Sequence, residues 1–405
     1  MGYTQHAIKG GSWVAAFRVA TRGMAFLRTA IIARILSPTQ FGLYGIASLL
    51  LTMIEILTET GINIILVQTE EGIEKYVDTA WIVSIIRGIF ISIIIFFSSY
   101  WVAGFFHSLA AKELLMLVAL VPLLRGFINP SIASFQKNLY FHQEFFYRTG
   151  VFFIESVVTI VLVWFFQSPI ALIWGLVAGA FFEVVISFLF VRPLPKLIYQ
   201  HEMVRHIISR GKWVTLAGVF QYFFQNGDNI VVGRILGTGA LGMYDMAYKM
   251  ATLPISEISD TIARVTFPVY VKIANDKKRL RRAYLRTTAL VTVICIPISV
   301  MFLLFSHQLI LFILGAKWIV AVPVFQILAI FGILQSIIGN TGAVFLAMKK
   351  QEYTTIITFV GIVFLSILIV PFIHTFGLIG AGLAVVTSSV LTLPVLLYYL
   401  LKVLR

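Results

Sequence analysis

The sequence predicts an all-α polytopic membrane protein, with about twelve transmembrane helices in two six-helix bundles. Apolar and aromatic residues make up 60% of the 405 residues and charged residues only 12%, about half the charge of a usual soluble domain. Runs of about 20 apolar residues, long enough to cross a bilayer, recur along almost the whole chain. In addition, a segment near residue 40 recurs near residue 240, which indicates two related halves.

The predicted spans are separated by short connections. They cover residues 13–36, 41–67, 79–100, 114–136, 145–166, 169–192, 212–236, 241–271, 286–305, 318–348, 353–374 and 377–401. Spans 8 and 10 exceed the length needed to cross the hydrocarbon core, which predicts tilt or an extension beyond the bilayer. Prolines inside several spans predict kinks or helix ends, because neighbouring groups must satisfy the backbone atoms that a proline frees.

The distribution of lysine and arginine predicts the orientation of the chain. If the N-terminus is inside, the inner segments contain 20 of these cations, whereas the outer loops contain only Lys112 and Lys317. This positive-inside bias places both termini in the cytoplasm. The densest basic run, from Lys277 to Arg282, lies between spans 8 and 9, where contact with anionic lipid headgroups is expected. The net charge of +14 therefore predicts no nucleic-acid partner.

An internal repeat relates the two parts of the chain. The stretch ARILSPTQFGLYGIA, at residues 33–47, is matched by GRILGTGALGMYDMA at residues 233–247. Gly11 and Trp13 recur at the same offset, as Gly211 and Trp213. These matches open the first and seventh spans and connect each to the span that follows, so they predict a duplication of a six-helix unit.

The predicted units are an N-terminal bundle, residues 1–200, and a C-terminal bundle, residues 201–405. Because six is even, both begin on the same side, and a pseudo-two-fold axis along the membrane normal should relate them. Two such bundles facing each other across a central cavity form a transporter that opens alternately to each side. The alternative is a compact scaffold produced by duplication.

Charged residues also occur inside the predicted spans, at a cost of roughly 2.5–3.5 kcal/mol each at the bilayer centre. Most are therefore expected to face a watery cavity, pair with one another, or extend to the headgroups. The nine cations are Arg18, Arg22, Arg28, Arg34, Arg87, Arg125, Arg234, Lys249 and Arg264, and the eight acids are Glu55, Glu59, Glu155, Glu183, Asp228, Asp245, Glu257 and Asp260.

Depth separates these charges into groups. Arg28 and Arg125 lie closest to mid-membrane, and Glu55 and Glu155 lie at a similar depth as candidate partners. With Arg18, Arg22 and Lys249, these two arginines are predicted to form a cationic site for phosphate or carboxylate, to which guanidinium groups are suited. Structural ion pairs are the alternative. Arg34 and Arg234 lie at equivalent outer ends and are predicted to anchor or gate the outer mouth.

Polar residues form stripes on two spans. Those at the predicted cavity are Gln221, Gln225, Asp228 and Asn229 in span 7 and Asp245 and Lys249 in span 8. Their amides suit sugar hydroxyls, although such stripes also join helices together. A membrane-buried acid can bind a proton, so Asp228, and after it Glu55 and Glu155, are predicted to couple transport to an ion. A partner role for Asp228 toward Arg234 or Lys249 is the alternative.

No catalytic pattern accompanies these charges. The sequence contains no phosphate-binding GxxxxGK[ST], no HExxH, no nucleophile elbow and no paired-cysteine metal site. The predicted outer loops are about a dozen residues or shorter, too short to build a catalytic site there. We therefore predict no enzyme activity, no metal and no cofactor.

Three stretches resemble bacterial polysaccharide exporters: FLRTAIIARILSPTQFGLYGIASLL (26–50), ETGINIILVQ (59–68) and QNGDNIVVGRILGTGALGMYDMAYKMATLP (225–254). The family is that of the oligosaccharide flippases, within the multidrug, oligosaccharidyl-lipid and polysaccharide exporter superfamily. The branch it resembles contains lipopolysaccharide, colanic acid and teichuronic acid exporters. Members often have fourteen spans, whereas twelve are predicted here.

The resemblance implies a function in a bacterial or archaeal cytoplasmic membrane. An undecaprenyl-pyrophosphate-linked oligosaccharide would be flipped by alternating access for export of surface polysaccharide, its headgroup passing through a cationic cavity. We also expect coupling to a proton or sodium ion and contact with membrane lipids. The protein is expected to be a monomer that associates with polysaccharide assembly proteins. The alternative is an ion-coupled drug/cation antiporter of the same superfamily, against which the nine intramembrane cations argue.

Overall fold

The computed structural model describes residues 3–58, 62, 66–67 and 72–404, and this part of the chain contains helices and no strand. The side chains of residues 3–16, 18, 19, 75 and 201–217 lie outside the description. The helices are α1 (Tyr3–Ile35), α2 (Pro38–Leu57), α3 (Glu74–Phe105), α4 (Ala110–Val118), α5 (Leu120–Arg125), α6 (Ala133–Lys137), α7 (Phe141–Phe166), α8 (Pro169–Phe190), α9 (His201–Lys272), α10 (Lys277–Leu304), α11 (Ser306–Ile313), α12 (Val322–Gly339), α13 (Thr341–Ala347) and α14 (Gln351–Leu404). Short 3-10 turns, Pro130–Ile132 and Ala316–Ala321, precede α6 and α12.

Seven helical segments of the described part are long and apolar enough to cross a membrane, and eight if the bent pair Ala110–Arg125 and Pro130–Lys137 is one span. The chain is thus an all-helical, multi-pass membrane protein, as predicted. The count of twelve spans in two bundles stays a prediction.

Two predicted spans differ in their bounds from the observed helices. Span 2 was expected to continue to residue 67, but α2 ends at Leu57. The next residue, Thr58, donates two hydrogen bonds to the Ile54 carbonyl, from its backbone amide at 3.1 Å and from its hydroxyl at 2.7 Å. Span 4 was expected to be continuous, but it bends by 68° before the turn at Pro130. An apolar run reveals neither position, because both are marked by hydrogen bonds of polar side chains, those of Thr58 at the end of α2 and of Asn129 at the bend.

Residues with positive φ also recur along the chain at one spacing, which is slightly longer than the offset of the sequence repeat. Leu139, after α6, has a φ of 58°, and Lys349, after α13, has a φ of 56°. Gln167 and Gly377 have φ values of 47° and 59°. The two members of each pair are separated by the same length of chain. Left-handed residues are uncommon outside glycine, so their recurrence at one spacing supports a duplication.

The turn within the repeated stretch is made in two different ways. In the first copy, Ser37 caps the start of α2, and Pro38 is the first residue of the helix. The Ser37 hydroxyl accepts a hydrogen bond from the Gln40 backbone amide, and the Gln40 side chain accepts one from the Ser37 backbone amide at 2.8 Å. In the second copy, Gly237 occupies the position equivalent to Ser37 and interrupts α9 with φ 82° and ψ −178°. This backbone region is essentially restricted to glycine.

A close helix contact in the first half of the chain relies on two glycines. Gly175 and Gly179 of α8 are spaced as in a GxxxG motif, which lets helices approach within a membrane. A Cβ atom at Gly175 would lie 2.0 Å from the Thr159 hydroxyl, and one at Gly179 would lie 2.7 Å from Cγ of Glu155. The glycines therefore bring α8 against α7 and position Glu155.

The chain separates into two compact units, residues 1–223 and 224–405, called here the N-terminal and C-terminal units. One apolar core of the N-terminal unit joins α1, α7 and α8 through Ile32, Leu36, Val163 and Leu172. The C-terminal unit has a core around Tyr270, Leu280, Tyr284, Phe345 and Leu400. The boundary proposed from the repeat, between residues 200 and 201, stays a prediction.

Candidate functional site

A cavity of about 360 Å³ lies inside the N-terminal unit, between α2, α3, α5 and the bend that follows α5. Five charged residues line it, together with amide and hydroxyl groups: Glu55, Arg87, Arg125, Arg148 and Glu183. Burying an isolated charge is costly. Positive and negative side chains around one cavity are therefore expected to stabilise one another or to contact water.

The bend that opens this cavity is fixed by Asn129. Its side-chain oxygen accepts the Ser131 amide at 2.9 Å and so begins the turn at Pro130. Its side-chain nitrogen donates to the carbonyls of Val191 and Pro193, at 3.3 and 3.1 Å, just beyond α8. Asn129 is fully buried, so this amide ties the bend to the end of α8.

Arg125 and Glu55 form an ion pair across the cavity. Nη1 of Arg125, in α5, lies 3.1 Å from Oε1 of Glu55, in α2, with 39% and 28% of the two side chains exposed. Nη2 of Arg87, in α3, donates to the backbone carbonyl of Glu55 at 2.7 Å. Two guanidinium groups therefore join three helices near the end of α2.

Arg28 and Glu155 form a second pair, which is more deeply buried. Nη1 of Arg28, in α1, lies 2.6 Å from Oε1 of Glu155, in α7, with 19% and 14% of the side chains exposed. The guanidinium also lies 5.0 Å from the centre of the Phe152 ring, a cation–π distance. The sequence had named Glu55 and Glu155 as candidate partners of Arg28 and Arg125, and the structure shows which acid pairs with which arginine.

Other cavity residues were not singled out by the sequence. Arg148 was counted among the loop cations, yet it lines the cavity and its Nε donates to Glu144 at 2.8 Å. Gln136 donates to the same carboxylate oxygen at 2.7 Å. Glu183, in α8, interacts electrostatically with Arg125 and Arg148. Only the bend after α5 brings these residues together, and no spacing in the sequence predicts it.

In the C-terminal unit, Asp228 is buried, with 3% of its surface exposed. Its Oδ2 accepts the hydroxyl of Tyr244 at 2.8 Å, and its Oδ1 accepts the amide of Asn229 at 2.8 Å. These partners differ from Arg234 and Lys249, which had been weighed as ion-pair partners for Asp228. Asp228 and Tyr244 can meet because α9 is interrupted between them, at Gly237.

The remaining predicted residues have varied environments. Nζ of Lys249 lies 2.6 Å from Oδ2 of Asp245, one helical turn away. Gln221 and Gln225 are exposed, whereas Asn229 is buried and its Oδ1 has no protein partner. Arg22 and Arg34 are exposed and Arg234 is half-buried. The side chain of Arg18 lies outside the described residues. Within the described ranges, no group of three metal-ligating residues is found.

A family model described as polysaccharide biosynthesis protein matches residues 31–323. The chain belongs to this family. The chain is 24% identical over 393 residues to "Lipopolysaccharide biosynthesis protein WzxC" of Escherichia coli K12, covering 96% of this chain and 79% of the relative. It is 22% identical to "Teichuronic acid biosynthesis protein TuaB" of Bacillus subtilis 168, covering 86% and 73%. The resemblance stated from the sequence is confirmed.

Solved structures of transporters share the fold. The structure of "Lipid II flippase MurJ, inward closed conformation" matches with a TM-score of 0.78 and 16% identity, over 95% of this chain and 87% of that one. A multidrug resistance MATE family transporter of the MOP superfamily, in an inward-facing conformation, matches with a TM-score of 0.69 and 18% identity, over 94% of both chains. The fold is therefore that of this group of membrane transporters.

Proposed function

We propose that this protein flips an undecaprenyl-pyrophosphate-linked oligosaccharide across the cytoplasmic membrane by alternating access, for export of a surface polysaccharide. The observation that carries the proposal is the family match over residues 31–323, together with the similarity to relatives named for lipopolysaccharide, teichuronic acid and succinoglycan biosynthesis. These names specify three different polymers, and the relative named for succinoglycan is called a transport protein. Movement of a lipid-linked glycan is a step that all three can share.

The proposed topology has twelve spans and two cytoplasmic termini. Helices α9 and α14 have 72 and 54 residues, or about 108 and 81 Å at 1.5 Å per residue. Each is more than twice the roughly 30 Å of a hydrocarbon core, and each is interrupted at a glycine, Gly237 or Gly377. Counting each as two spans supports six spans in each half.

Within the N-terminal unit, we assign the pyrophosphate contact to Arg125. A guanidinium binds phosphate through two parallel hydrogen bonds, and Arg125 is 39% exposed beside a cavity of about 360 Å³. A phosphate would replace Glu55 as its partner. Arg28 is less accessible, so its pair with Glu155 serves mainly to hold α1 against α7. The predicted contributions of Arg18, Arg22 and Lys249 stay part of this proposal.

Coupling to a proton or sodium ion is assigned to Asp228. Its carboxylate is buried with one phenol and one amide as donors, and the neighbouring Asn229 oxygen has no protein partner. Neutralising the carboxylate by a bound cation would therefore remove an uncompensated buried charge. Replacing Asp228 by Asn is expected to abolish the dependence of transport on an ion gradient.

Export of glycan from a deletion strain tests the proposal. Complementation with Arg125→Gln should reduce surface polysaccharide at least tenfold at unchanged protein level, because the amide cannot bind phosphate as a charged pair. Arg125→Lys should keep part of the export, and Lys112→Gln, which lies in α4 and does not line the cavity, should keep all of it. Normal export with Arg125→Gln would contradict the assignment of the phosphate contact.

A drug/cation antiporter is the second candidate, favoured by the likeness to the MATE family transporter. Cationic drugs require acidic rather than guanidinium partners, and the N-terminal cavity contains three arginines and two glutamates. Expression in a drug-sensitive strain separates the two candidates. Increased drug resistance without glycan export would favour antiport, and glycan export without resistance would favour the flippase.

A further inference from the structure

The last part of the chain contains far more basic than acidic residues. Residues 261–405 contain 13 lysines and arginines but only two acids, Asp276 and Glu352. Both acids already contact cations: Asp276 lies 3.1 Å from Arg279, and Glu352 lies 3.5 Å from Lys350. This stretch therefore contains no further carboxylate side chain that could neutralise its remaining positive charges.

Six of these cations lie in the first ten residues of α10 and form what we call the basic face of α10: Lys277, Lys278, Arg279, Arg281, Arg282 and Arg286. All six side chains are exposed. Leu280 and Tyr284 point the other way and are buried, and the Tyr284 hydroxyl lies 3.1 Å from that of Thr341. The helix is thus held by its apolar side, and the cations face outward without contributing to the core.

The basic face lies directly beside a membrane span. Residues 287–304 of the same helix contain no charged side chain, and α10 is long and apolar enough to cross a bilayer. Ten residues of helix extend about 15 Å, comparable to the headgroup layer together with the first layers of water. Arg281, Arg282 and Arg286, which are nearest the apolar segment, are therefore placed near the depth of the lipid phosphates, and the other three cations lie in the water just beyond them.

The equivalent segment of the first half is not basic. Helix α3, which begins at Glu74 and also continues into a long apolar span, opens with Glu74, Lys75 and Asp78. The two equivalent segments therefore differ in charge, which singles out the start of α10 as a candidate binding surface.

We propose that the basic face of α10 binds the headgroups of anionic phospholipids and holds the C-terminal unit against the adjacent leaflet. Clusters of four to eight lysines and arginines beside a span bind anionic lipids in this way. Arginine adds paired hydrogen bonds to phosphate oxygens. The proposal needs no assumption about the transported substrate.

Thermal unfolding of the purified full chain in neutral detergent tests this. The probe is phosphatidylglycerol added as mixed micelles, compared with phosphatidylcholine. One cation at an anionic surface is worth about fivefold in affinity, so Arg281→Gln/Arg282→Gln should raise the half-saturating phosphatidylglycerol concentration about 25-fold. The matched control, Arg192→Gln/Lys196→Gln, removes two exposed cations of the N-terminal unit. It should change the half-saturating phosphatidylglycerol concentration less than threefold.

Two outcomes would overturn the proposal. One is equal stabilisation of the wild type by both lipids, which would show that the basic face does not select anionic headgroups and would leave an acidic protein as its occupant. The other is an equal loss in both double variants, which would indicate a general effect of net charge. If the Arg281/Arg282 variant does not fold, the wild type is measured with and without 0.5 M NaCl. The salt should remove the stabilisation by phosphatidylglycerol, and stabilisation that is independent of salt would contradict the proposal. Because the readout is lipid-dependent stability, failure here would leave the flippase proposal unchanged.

Discussion

Single charged residues inside the membrane-spanning helices are stabilised by partners from distant parts of the sequence. Arg28 and Glu155 are separated by 127 residues, and Arg125 and Glu55 by 70. An ion inside a bilayer is tolerated when it is paired or contacts water, so these pairs explain how such residues persist. They also connect helices that the chain order does not place side by side.

Removing one member of the deeper pair should destabilise the N-terminal unit. Arg28→Gln leaves Glu155 buried without its cation, and loss of one partner of a buried pair costs about 3 kcal/mol. Denaturant unfolding in detergent measures this cost. Lys196→Gln, which removes an exposed cation of the same unit, is the control and should change stability by less than about 0.5 kcal/mol.

The corresponding double variant separates pairing from other effects. In Arg28→Gln/Glu155→Gln neither charge remains, so more than half of the lost stability should return. A double variant as unstable as the sum of its single variants would mean that the two side chains do not interact in the folded protein.

The sequence predicted these residue pairs better than it predicted the cavity. Depth along each span was enough to name Glu55 and Glu155 as candidate partners of Arg28 and Arg125, but not to say which acid pairs with which arginine. It was not enough to place Arg148 or Glu183 at the cavity, because their position depends on the bend at Asn129. That bend relies on the carbonyls beyond the end of α8, which lie far later in the chain, and no local pattern encodes such a contact.

Whole helices are positioned by a few small residues and interruptions. The α7–α8 contact depends on Gly175 and Gly179, the start of α2 depends on Ser37, and the interruption of α9 depends on Gly237. Apolar length predicted where most spans lie. It did not predict where α2 ends or where span 4 bends, since capping hydrogen bonds rather than hydrophobicity determine these positions.

Gly179→Ala should weaken the contact between α7 and α8. The new Cβ would lie 2.7 Å from Cγ of Glu155, so that side chain must move away from Arg28, at a cost of about 1–3 kcal/mol. Gly150→Ala in α7 meets nothing within 4 Å and should be neutral or slightly stabilising. Denaturant unfolding of the two variants compares them, and equal stabilities would argue against close helix packing at Gly179.

Gly237→Ala should disturb the interruption of α9. The backbone there has φ 82° and ψ −178°, a region that costs a residue with a Cβ about 1–3 kcal/mol. Gly227→Ala, in a regular part of the same helix with nothing within 4 Å, is the control. We expect the melting temperature to fall with Gly237→Ala and not with Gly227→Ala. Unchanged melting temperatures of both variants would contradict the interruption of α9 at Gly237.

At the scale of the whole molecule, the chain belongs to a polysaccharide biosynthesis protein family and has the fold of solved membrane transporters, and the distribution of charge predicts its orientation. The two stretches of the sequence repeat are followed by turns at a common spacing, whereas the starts of α3 and α10 differ in charge. Orientation was predicted from the lysines and arginines alone, because hydrophobicity gives no direction across a membrane.

Cysteine labelling in intact cells tests that orientation. In a Cys295→Ser background, Ser108→Cys lies in a predicted outer loop and should react with a membrane-impermeant maleimide. Asn275→Cys lies in a predicted cytoplasmic loop and should react only after the cells are permeabilised. The reverse pattern would require an inverted topology and would place the basic face of α10 on the outer surface.

The most direct test of the central claim is transport by the purified protein in vesicles. The substrate is a fluorescent undecaprenyl-pyrophosphate oligosaccharide, and an impermeant glycosidase outside the vesicles reports the fraction of label that reaches the outer leaflet. The account predicts nearly complete, time-dependent cleavage with the wild type, about half cleavage in protein-free vesicles, and rates near the protein-free level with Arg125→Gln. Cleavage by the wild type no greater than in protein-free vesicles would contradict it.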